Sequence, residues 1–373
     1  MKIKILFLTV NLLLLFIPSD KNFKSDEKKI YADSVSTISL SFVGDIMCHS
    51  PQIDYARIGK DSFDFKPVFR YVKNLIEKAD LAFGNLETVT AGISEKLTGY
   101  PLFNSPDQLL DALKYAGFDF LYTVNNHSLD RGTRGVVRTI EQIEEKGMKN
   151  IGSSNSESRS DSLIIIDMKG IKLGLLAYTY GLNGNYLPKS KSFMINLIDT
   201  VRIDSDISRL RDKGAELVIV YFHFGDEYSR KPSGFQVETV KKTFQYGADI
   251  IIGSHPHVLQ RTEFLTKGNG KLKNGFVAYS LGNFISNQRW RYSDAGAILK
   301  LEICKNFQRD SIWINNATAI PTWVYKGFTG IKNEFIIVPS DTSFFKVPEF
   351  FSSSDKMKMI QSYYDAGEIL FRK

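Results

Sequence analysis

The chain has 373 residues, of which 43% are hydrophobic and 24% are charged, as in a globular protein with a sizeable core. Its formal net charge of +7 is spread along the sequence, and short basic clusters such as Lys28-Lys29 and 271–273 are typical of solvated surface rather than of a nucleic-acid site. The two cysteines, Cys48 and Cys304, are too few for a disulfide framework or a cysteine-rich zinc module. We therefore expect an ordinary folded domain with no nucleic-acid partner.

The N-terminus has the pattern of a targeting segment. Lys2 and Lys4 precede an apolar stretch over 5–18, which is shorter than the roughly 20 residues of a spanning helix. We predict a signal peptide or an uncleaved anchor over 1–19 and a polar linker over 20–36. Either predicts an extracytoplasmic protein that is secreted, periplasmic or membrane-anchored, with membrane contact only through its N-terminus.

Beyond the linker, apolar runs alternate with helical patterns. Strands are predicted over 38–43, 81–83, 118–124, 163–166, 171–178, 217–222, 250–252, 276–280, 297–303, 311–320 and 335–338. Helices are predicted over 67–78, 106–116, 133–146, 201–213 and 234–246, and from about 354 to the C-terminus. This order predicts an α/β fold with helices on the outside of a layered sheet and a strand-rich final third.

All five histidines follow apolar runs, in segments rich in Gly, Asp and Asn. The segments read FVGDIMCHS, LYTVNNHSLDRG, VIVYFHFGDEY and DIIIGSHPHV, and LAFGNLETV places a carboxylate, Glu87, in the same setting. Polar ligands that follow several strands would meet at the carboxyl edge of a sheet, so the pattern predicts a metal site there. The strongest single signal is His255-Pro256-His257, because Pro256 restricts the backbone between two imidazoles and favours an extended turn that holds both on one side.

The other candidates are weaker one by one. Asp45 would serve equally as a helix cap, Glu87 as a surface acid, Asn126-His127 as a tight turn and His223 as a structural histidine. Together they form a mixed nitrogen and oxygen set, which suits Mn, Fe or Zn better than Mg or Ca. The number of donors exceeds one tetrahedral site and predicts two divalent metal ions acting on a phosphoryl or acyl group.

A metal pair of this kind needs a group that protonates the leaving group, and His127 with Asp130 three residues later is the candidate for that catalytic pair. No phosphate-binding Gly-rich loop, nucleophile elbow or dinucleotide fingerprint is present in the sequence.

Seven segments in order, GDIM, GNLE, NNHSLDRG, HFGDEY, GSHPHV, YSLGNFI and PTWVYK, resemble the CapA family of poly-γ-glutamate capsule synthesis. The resemblance covers about 38–326. It implies a calcineurin-like metallophosphoesterase fold, an α/β four-layer α-β-β-α sandwich of two mixed sheets, which we place over 37–345, with a C-terminal helical extension over 346–373.

The resemblance also implies roles for single residues. Asp45, His49 and His257 would bind a first metal, Glu87 would bridge, and Asn126, His223 and His255 would bind a second. His127 would be the leaving-group acid. Asn85, Glu227 and Asn283 would support the ligands or contact substrate.

Three functions remain open on the sequence. The first is an envelope-located, metal-dependent hydrolase or transferase-like protein of capsule or cell-surface polymer synthesis. The second is a non-catalytic, polymer-binding subunit of a membrane synthesis or export complex, and the third is a secreted phosphoesterase. The expected substrate is an anionic polymer or a phosphoester.

Overall fold

The computed structural model describes residues 35–266 and 271–370. The predicted signal peptide or anchor and the predicted linker up to residue 34 lie outside these ranges, while the last two linker residues already belong to the first strand. Within the described ranges, no helix combines the length and the apolar character needed to cross a bilayer.

The described residues contain fourteen strands. They are β1 (Val35–Ile46), β2 (Leu81–Leu86), β3 (Phe120–Tyr122), β4 (Lys149–Ile151), β5 (Ile164–Met168), β6 (Ile171–Thr179), β7 (Leu217–His223), β8 (Ile250–Ser254), β9 (Thr262–Thr266), β10 (Asn274–Ala278), β11 (Asn283–Ile285), β12 (Ala295–Asn306), β13 (Ser311–Phe328) and β14 (Asn333–Pro339).

The α-helices of the same ranges are mostly short and lie between strands. They are α1 (Ser50–Ala56), α2 (Lys73–Ile76), α3 (Gln108–Ala116), α4 (Gly132–Glu145), α5 (Glu157–Ser160), α6 (Thr200–Asp212), α7 (Gly234–Gln245) and α8 (Ser353–Gly367). Three 3₁₀ segments, Lys66–Phe69, Ile93–Glu95 and Lys189–Met194, complete the helical elements of the described chain.

The strands form two mixed sheets. The first has the order β14-β13-β12-β1-β2-β3-β4, and β11 pairs with the end of β1; the second has the order β5-β6-β7-β8-β10-β9. In the first sheet β1 is parallel to β2 and antiparallel to β12, and in the second the parallel strands β6, β7, β8 and β10 are flanked by antiparallel edge strands.

Three apolar clusters divide the molecule into layers. One cluster lies between the sheets and joins residues of β1, β2 and β3 to residues of β6, β7 and β8. Tyr122 of β3 stacks on Tyr221 of β7 with 4.0 Å between ring centroids, so the two sheets are in direct contact. The other clusters cover the outer faces, with α3 against the first sheet and α6 and α7 against the second. The predicted four-layer sandwich is confirmed.

Most predicted elements are present, but some differ. The helix predicted over 67–78 is split into the 3₁₀ segment and α2, because Val68, Phe69, Val72 and Ile76 all turn into the outer cluster of the first sheet. β-Branched and aromatic residues weaken a continuous helix, and burial of these side chains then determines the local path. The sequence analysis missed α1, α5, β4, β9 and β11, which are short and lack a clear period.

Candidate metal centre

Strand alternation brings the candidate donors to the space between the sheets. In β2, Leu81 and Phe83 face the inter-sheet core, and the same period continues through Asn85 to Glu87. In β7 the alternation of Leu217, Ile219 and Tyr221 continues to His223 at the end of the strand. On one face, both strands therefore change from apolar side chains to candidate metal donors at their carboxyl ends.

The His-Pro-His segment has a less extended backbone than the sequence suggested. His255 and His257 have φ values of 101° and 58°, in the left-handed region that non-glycine residues rarely adopt. Such conformations cost roughly 1–3 kcal/mol each and persist where the surrounding structure fixes them. The Tyr228 N–H donates to the Pro256 carbonyl at 2.7 Å and anchors this turn. The two imidazole rings lie 5.8 Å apart.

The donors fall into groups whose nitrogen and oxygen atoms lie within 4.8 Å of one another. One group contains Asp45, Glu87 and His257, and a second contains Glu87, His223 and His255. Glu87 belongs to both and is 3.7 Å from the Nε2 atoms of His223 and His257. The Asn126 Oδ1 atom is 2.9 Å from the Nε2 atom of His223 and so joins the second group. These distances bring together the residues that the family resemblance assigns to each metal, apart from His49, and their roles as ligands stay predictions.

His49 lies outside these groups. Its N–H donates to Gln52 Oε1 at 2.8 Å, and its Nδ1 atom accepts from the Asn287 N–H at 3.3 Å. His49 precedes α1 and stacks edge-on against Phe103 at 5.3 Å. These contacts of the backbone and of Nδ1 hold His49 at the start of α1, a helix that the sequence analysis missed.

Burial controls the charges of the centre. Burial and the neighbouring Asp45 raise the pKa of Glu87 well above its usual range. Burial alone would raise the pKa of Asp45, but hydrogen bonds from His257 and Asn85 and the charge of His257 lower it. Burial, together with nearby histidines, lowers the pKa of His223 well below its usual range and that of His255 to about 3. The two imidazoles are therefore neutral, which is the form that binds metals.

His127 and Asp130 form a buried pair beside the donors. The His127 Nδ1 atom lies 2.8 Å from Asp130 Oδ2, which also accepts the Phe103 N–H at 2.7 Å. An ionised carboxylate only accepts, so Nδ1 carries the proton and Nε2 is left for a substrate. This is the geometry of an imidazole oriented by a carboxylate.

The three supporting residues have distinct contacts. The Asn85 amide donates to Asp45 at 2.8 Å and to Glu87 at 3.1 Å, so it holds the two carboxylates together. The exposed Glu227 forms a third donor group with His255 and His257. The Asn283 amide donates to Gln288 and Ser293, and its backbone pairs with that of Asp45.

Several contacting residues were missed from the sequence. Asn183 accepts from the Asn126 amide at 3.1 Å, and its own amide is 3.5 Å from His127 Nε2. The Asn125 amide donates to Asn85 at 3.1 Å, and the Tyr221 hydroxyl lies 3.2 Å from His223 Nδ1. Asn125 could have been found because it lies inside NNHSLDRG, whereas the loop GLNGN around Asn183 carries no signal beyond turn formation.

The donor set fits a divalent transition metal. It combines carboxylate oxygens with neutral imidazoles and an amide oxygen, the mixture that Mn, Fe and Zn accept. Glu87 Oε1 is buried and has no hydrogen-bond partner among the described residues, and it faces two imidazole nitrogens. Among the described residues, the basic side chains that pair with Asp45 and Glu87 are histidines only, with no lysine or arginine. A bound divalent cation would favour the ionised form of the Asp45 and Glu87 carboxylates.

Two mixed sheets with helices outside and this group of donors at the strand ends define a metallophosphoesterase-like fold. The NAD nucleotidase NadN of Haemophilus influenzae superposes with a TM-score of 0.50 at 13% sequence identity, covering 89% of this chain and 63% of that protein. At this identity the match shows the fold alone.

Sequence comparison gives the family. The family model for the bacterial capsule synthesis protein PGA_cap matches residues 39–288 of this sequence. The chain therefore belongs to the PGA_cap family. The capsule biosynthesis protein CapA of Bacillus anthracis is 30% identical over 281 residues, covering 72% of this chain and 64% of that protein. The PGA biosynthesis protein CapA of Bacillus subtilis is 28% identical over 305 residues, covering 80% and 77% of the two chains. The chain thus matches less than two thirds of the Bacillus anthracis relative.

Proposed function

We propose that this protein is an envelope-located, metal-dependent hydrolase or transferase that acts in the assembly of capsule or another cell-surface polymer. The observation that carries the proposal is Glu87, shared by two donor groups beside the His127–Asp130 pair. The names of the Bacillus relatives support the polymer context, and the N-terminal sequence pattern supports the envelope. The substrate would be an anionic polymer or a phosphoester.

The site would hold two divalent ions, one on Asp45 and His257 and one on Asn126, His223 and His255, with Glu87 between them. Such ions, when bound, activate a water molecule and neutralise charge on a phosphoryl or acyl oxygen. For a phosphoester, the water oxygen bonds to phosphorus while the ester P–O bond breaks.

The chain's own residues complete that step. In its imidazolium form His127 carries a second proton on Nε2, and the leaving oxygen takes that proton, while Asp130 accepts from Nδ1–H and stabilises the charged ring. Asn85 keeps Asp45 and Glu87 in place, so the carboxylates need not reorient when the substrate enters.

The test is elemental analysis of the purified full-length protein together with assays of a phosphoester and a γ-glutamyl amide in a Mn, Fe and Zn screen. We expect about two metal ions per chain and turnover that His127→Ala lowers about 100-fold or more, with metal content and circular dichroism unchanged. A content below about one metal ion per chain, with no hydrolysis in any screen, would overturn the proposal.

A second candidate is a non-catalytic, polymer-binding subunit of a membrane-bound synthesis or export complex. The relatives' names support it, because they refer to biosynthesis and not to hydrolysis. This function predicts that a polymer such as poly-γ-glutamate is bound but not cleaved, and that His127→Ala leaves polymer binding unchanged.

A further inference from the structure

Four exposed aromatic residues surround the candidate metal centre. They are Tyr100, Tyr180, Tyr228 and Trp290, which are 73%, 42%, 42% and 51% exposed, and we refer to them as the aromatic rim. Exposed aromatic side chains that occur singly need no explanation, but a cluster around a polar site is typical of a ligand-binding surface.

Each tyrosine of the rim contacts a different histidine of the site. Ring centroids of Tyr180 and His255 are 4.6 Å apart, those of Tyr228 and His257 are 6.0 Å apart, and those of Tyr100 and His127 are 6.5 Å apart. Trp290 extends the rim by an edge-on contact with Tyr228 at 5.1 Å. The rim therefore lies within reach of a substrate whose reacting bond is at the donor groups.

The polar groups of the rim suit an uncharged partner. The Gln288 amide donates to the Tyr228 hydroxyl at 3.1 Å, and the Asn183 amide lies next to His127. In the described part of the chain, no lysine or arginine stacks on any of the four rings. The exposed carboxylate of Glu227 next to His255 and His257 opposes a polyanion at this point.

The rim is held in place by the fold. The Arg291 guanidinium, one residue after Trp290, makes two hydrogen bonds to the Asp365 carboxylate of α8 at 2.9 and 2.6 Å. Arg230, two residues after Tyr228, donates to the Asp365 backbone carbonyl at 3.0 Å. Both segments are therefore fixed on the C-terminal helix, and aromatic surfaces fixed in this way lose little entropy on binding a ligand.

We propose that the aromatic rim binds the ring of the substrate, so that the preferred substrate is a phosphoester of a sugar or a nucleoside. This inference rests on the proposed function and narrows its substrate class. Aromatic faces of tyrosine and tryptophan provide stacking surfaces for flat rings, and the amides of Gln288 and Asn183 provide hydrogen bonds to ring hydroxyls or base edges.

The kinetic test compares glucose 1-phosphate, adenosine 5′-monophosphate and glycerol 1-phosphate with the Mn-loaded full-length protein. We expect kcat/KM for at least one ring-bearing ester to exceed that for glycerol 1-phosphate about tenfold, because one stacked ring contributes about that factor. The two ring-bearing esters distinguish a sugar from a nucleoside. Equal kcat/KM for all three would overturn the inference and leave the proposed function intact.

Variants test whether a preference for ring-bearing esters comes from the aromatic rim. Tyr180→Leu and Tyr228→Leu should raise KM for the ring-bearing ester about tenfold more than KM for glycerol 1-phosphate, while Tyr180→Phe and Tyr228→Phe should keep the preference. Phe328→Leu, at an exposed aromatic residue outside the rim, should change neither. A leucine variant that affects all three esters equally would contradict the assignment.

Calorimetric titration of the His127→Ala protein with the same three esters gives a readout that needs no turnover. Preferential binding of a ring-bearing ester, lost on adding Tyr180→Leu, would support the rim even if the wild-type protein hydrolysed nothing. In that case the proposed catalytic function would fail while the rim remained a binding site. Equal or undetectable binding of all three esters would overturn the inference.

Discussion

Glu87 is the residue at which the opposing electrostatic forces of the site are strongest. Its side chain is fully buried, and its pKa is raised by burial and by the neighbouring Asp45. A buried carboxylate next to another carboxylate lowers the stability of the metal-free protein, whereas a bound cation would reverse this effect. The carboxylate of Glu87 would therefore favour metal binding, but it lowers the stability of the metal-free protein.

We expect Glu87→Gln to separate the effect of Glu87 on metal-free stability from its effect on metal binding. The amide keeps the shape of the side chain but removes its charge, so the melting temperature of the metal-free variant should equal or exceed that of the wild type, while the rise in melting temperature on adding Mn²⁺ should be lost. Thermal unfolding with and without Mn²⁺ measures both. The matched control is Glu141→Gln on the exposed face of α4, which should behave like wild type. A metal-free Glu87→Gln protein that melts several degrees lower would contradict this account.

At the scale of elements, the parallel pairing of β1 with β11 positions Asp45. The β1 strand shifts register between Phe42 and Asp45, and the Asp45 N–H donates to the Gly282 carbonyl at 2.9 Å. A Cβ atom on Gly44 would lie 1.9 Å from that carbonyl oxygen, so only glycine fits between the strands.

Gly44→Ala should therefore push β11 away from β1 and displace Asp45. We expect a loss of about 3 kcal/mol in the free energy of unfolding, as for other overpacked positions, together with weaker Mn²⁺ binding. Urea unfolding and metal titration measure the two effects. Gly234→Ala is the control, because a Cβ atom there meets nothing within 4 Å and Gly234 begins α7. Equal stability of the two variants would show that β1 and β11 can separate without cost.

The elements also show what the sequence can predict. Strands that form continuous apolar runs, such as β7, could be located, and so could polar side chains at the ends of these runs, such as His223. Short elements such as β11 and α1 are defined by their partners and not by their own sequence, so they were missed. The contacts of His49 depend on α1, and its role as a ligand, which came from the family resemblance, stays a prediction. Asn183 was overlooked because its loop carries only turn-forming residues.

At the scale of the whole molecule, the candidate centre lies where the two sheets meet. Asp45 lies near the end of β1, and Glu87 and Asn126 follow β2 and β3 of the same sheet. His223 ends β7, and His255 and His257 follow β8 of the second sheet. A metal ion bound between them would join the sheets at this edge, in addition to the stacked Tyr122 and Tyr221 behind it. A ligand that binds the native state but not the unfolded state stabilises the protein. Adding Mn²⁺ should therefore raise the free energy of global unfolding of the wild-type protein.

Global stability should also depend on pH through buried histidines. Burial lowers the pKa of His49 from 6.5 to about 4 in the folded protein. Between these values the unfolded chain binds a proton that the folded protein rejects. The stabilisation is thus fully present above about pH 6.5 and is lost as the pH falls through about 4. Glu87 acts in the opposite direction, because a raised carboxyl pKa stabilises the fold at low pH, and a comparison with a variant is needed to isolate His49.

His49→Gln provides that comparison, since glutamine is uncharged at every pH and can still form hydrogen bonds. In metal-free urea unfolding, we expect the wild-type free energy of unfolding to fall more than that of the variant between about pH 7.5 and about pH 4.5, by on the order of 2 kcal/mol. Glu87 and Asp45 are common to both proteins, so their contributions cancel in the difference. Parallel pH profiles would mean that His49 takes up its proton equally in the folded and unfolded chains, and that its burial beside Phe103 and Gln52 does not exclude the charge.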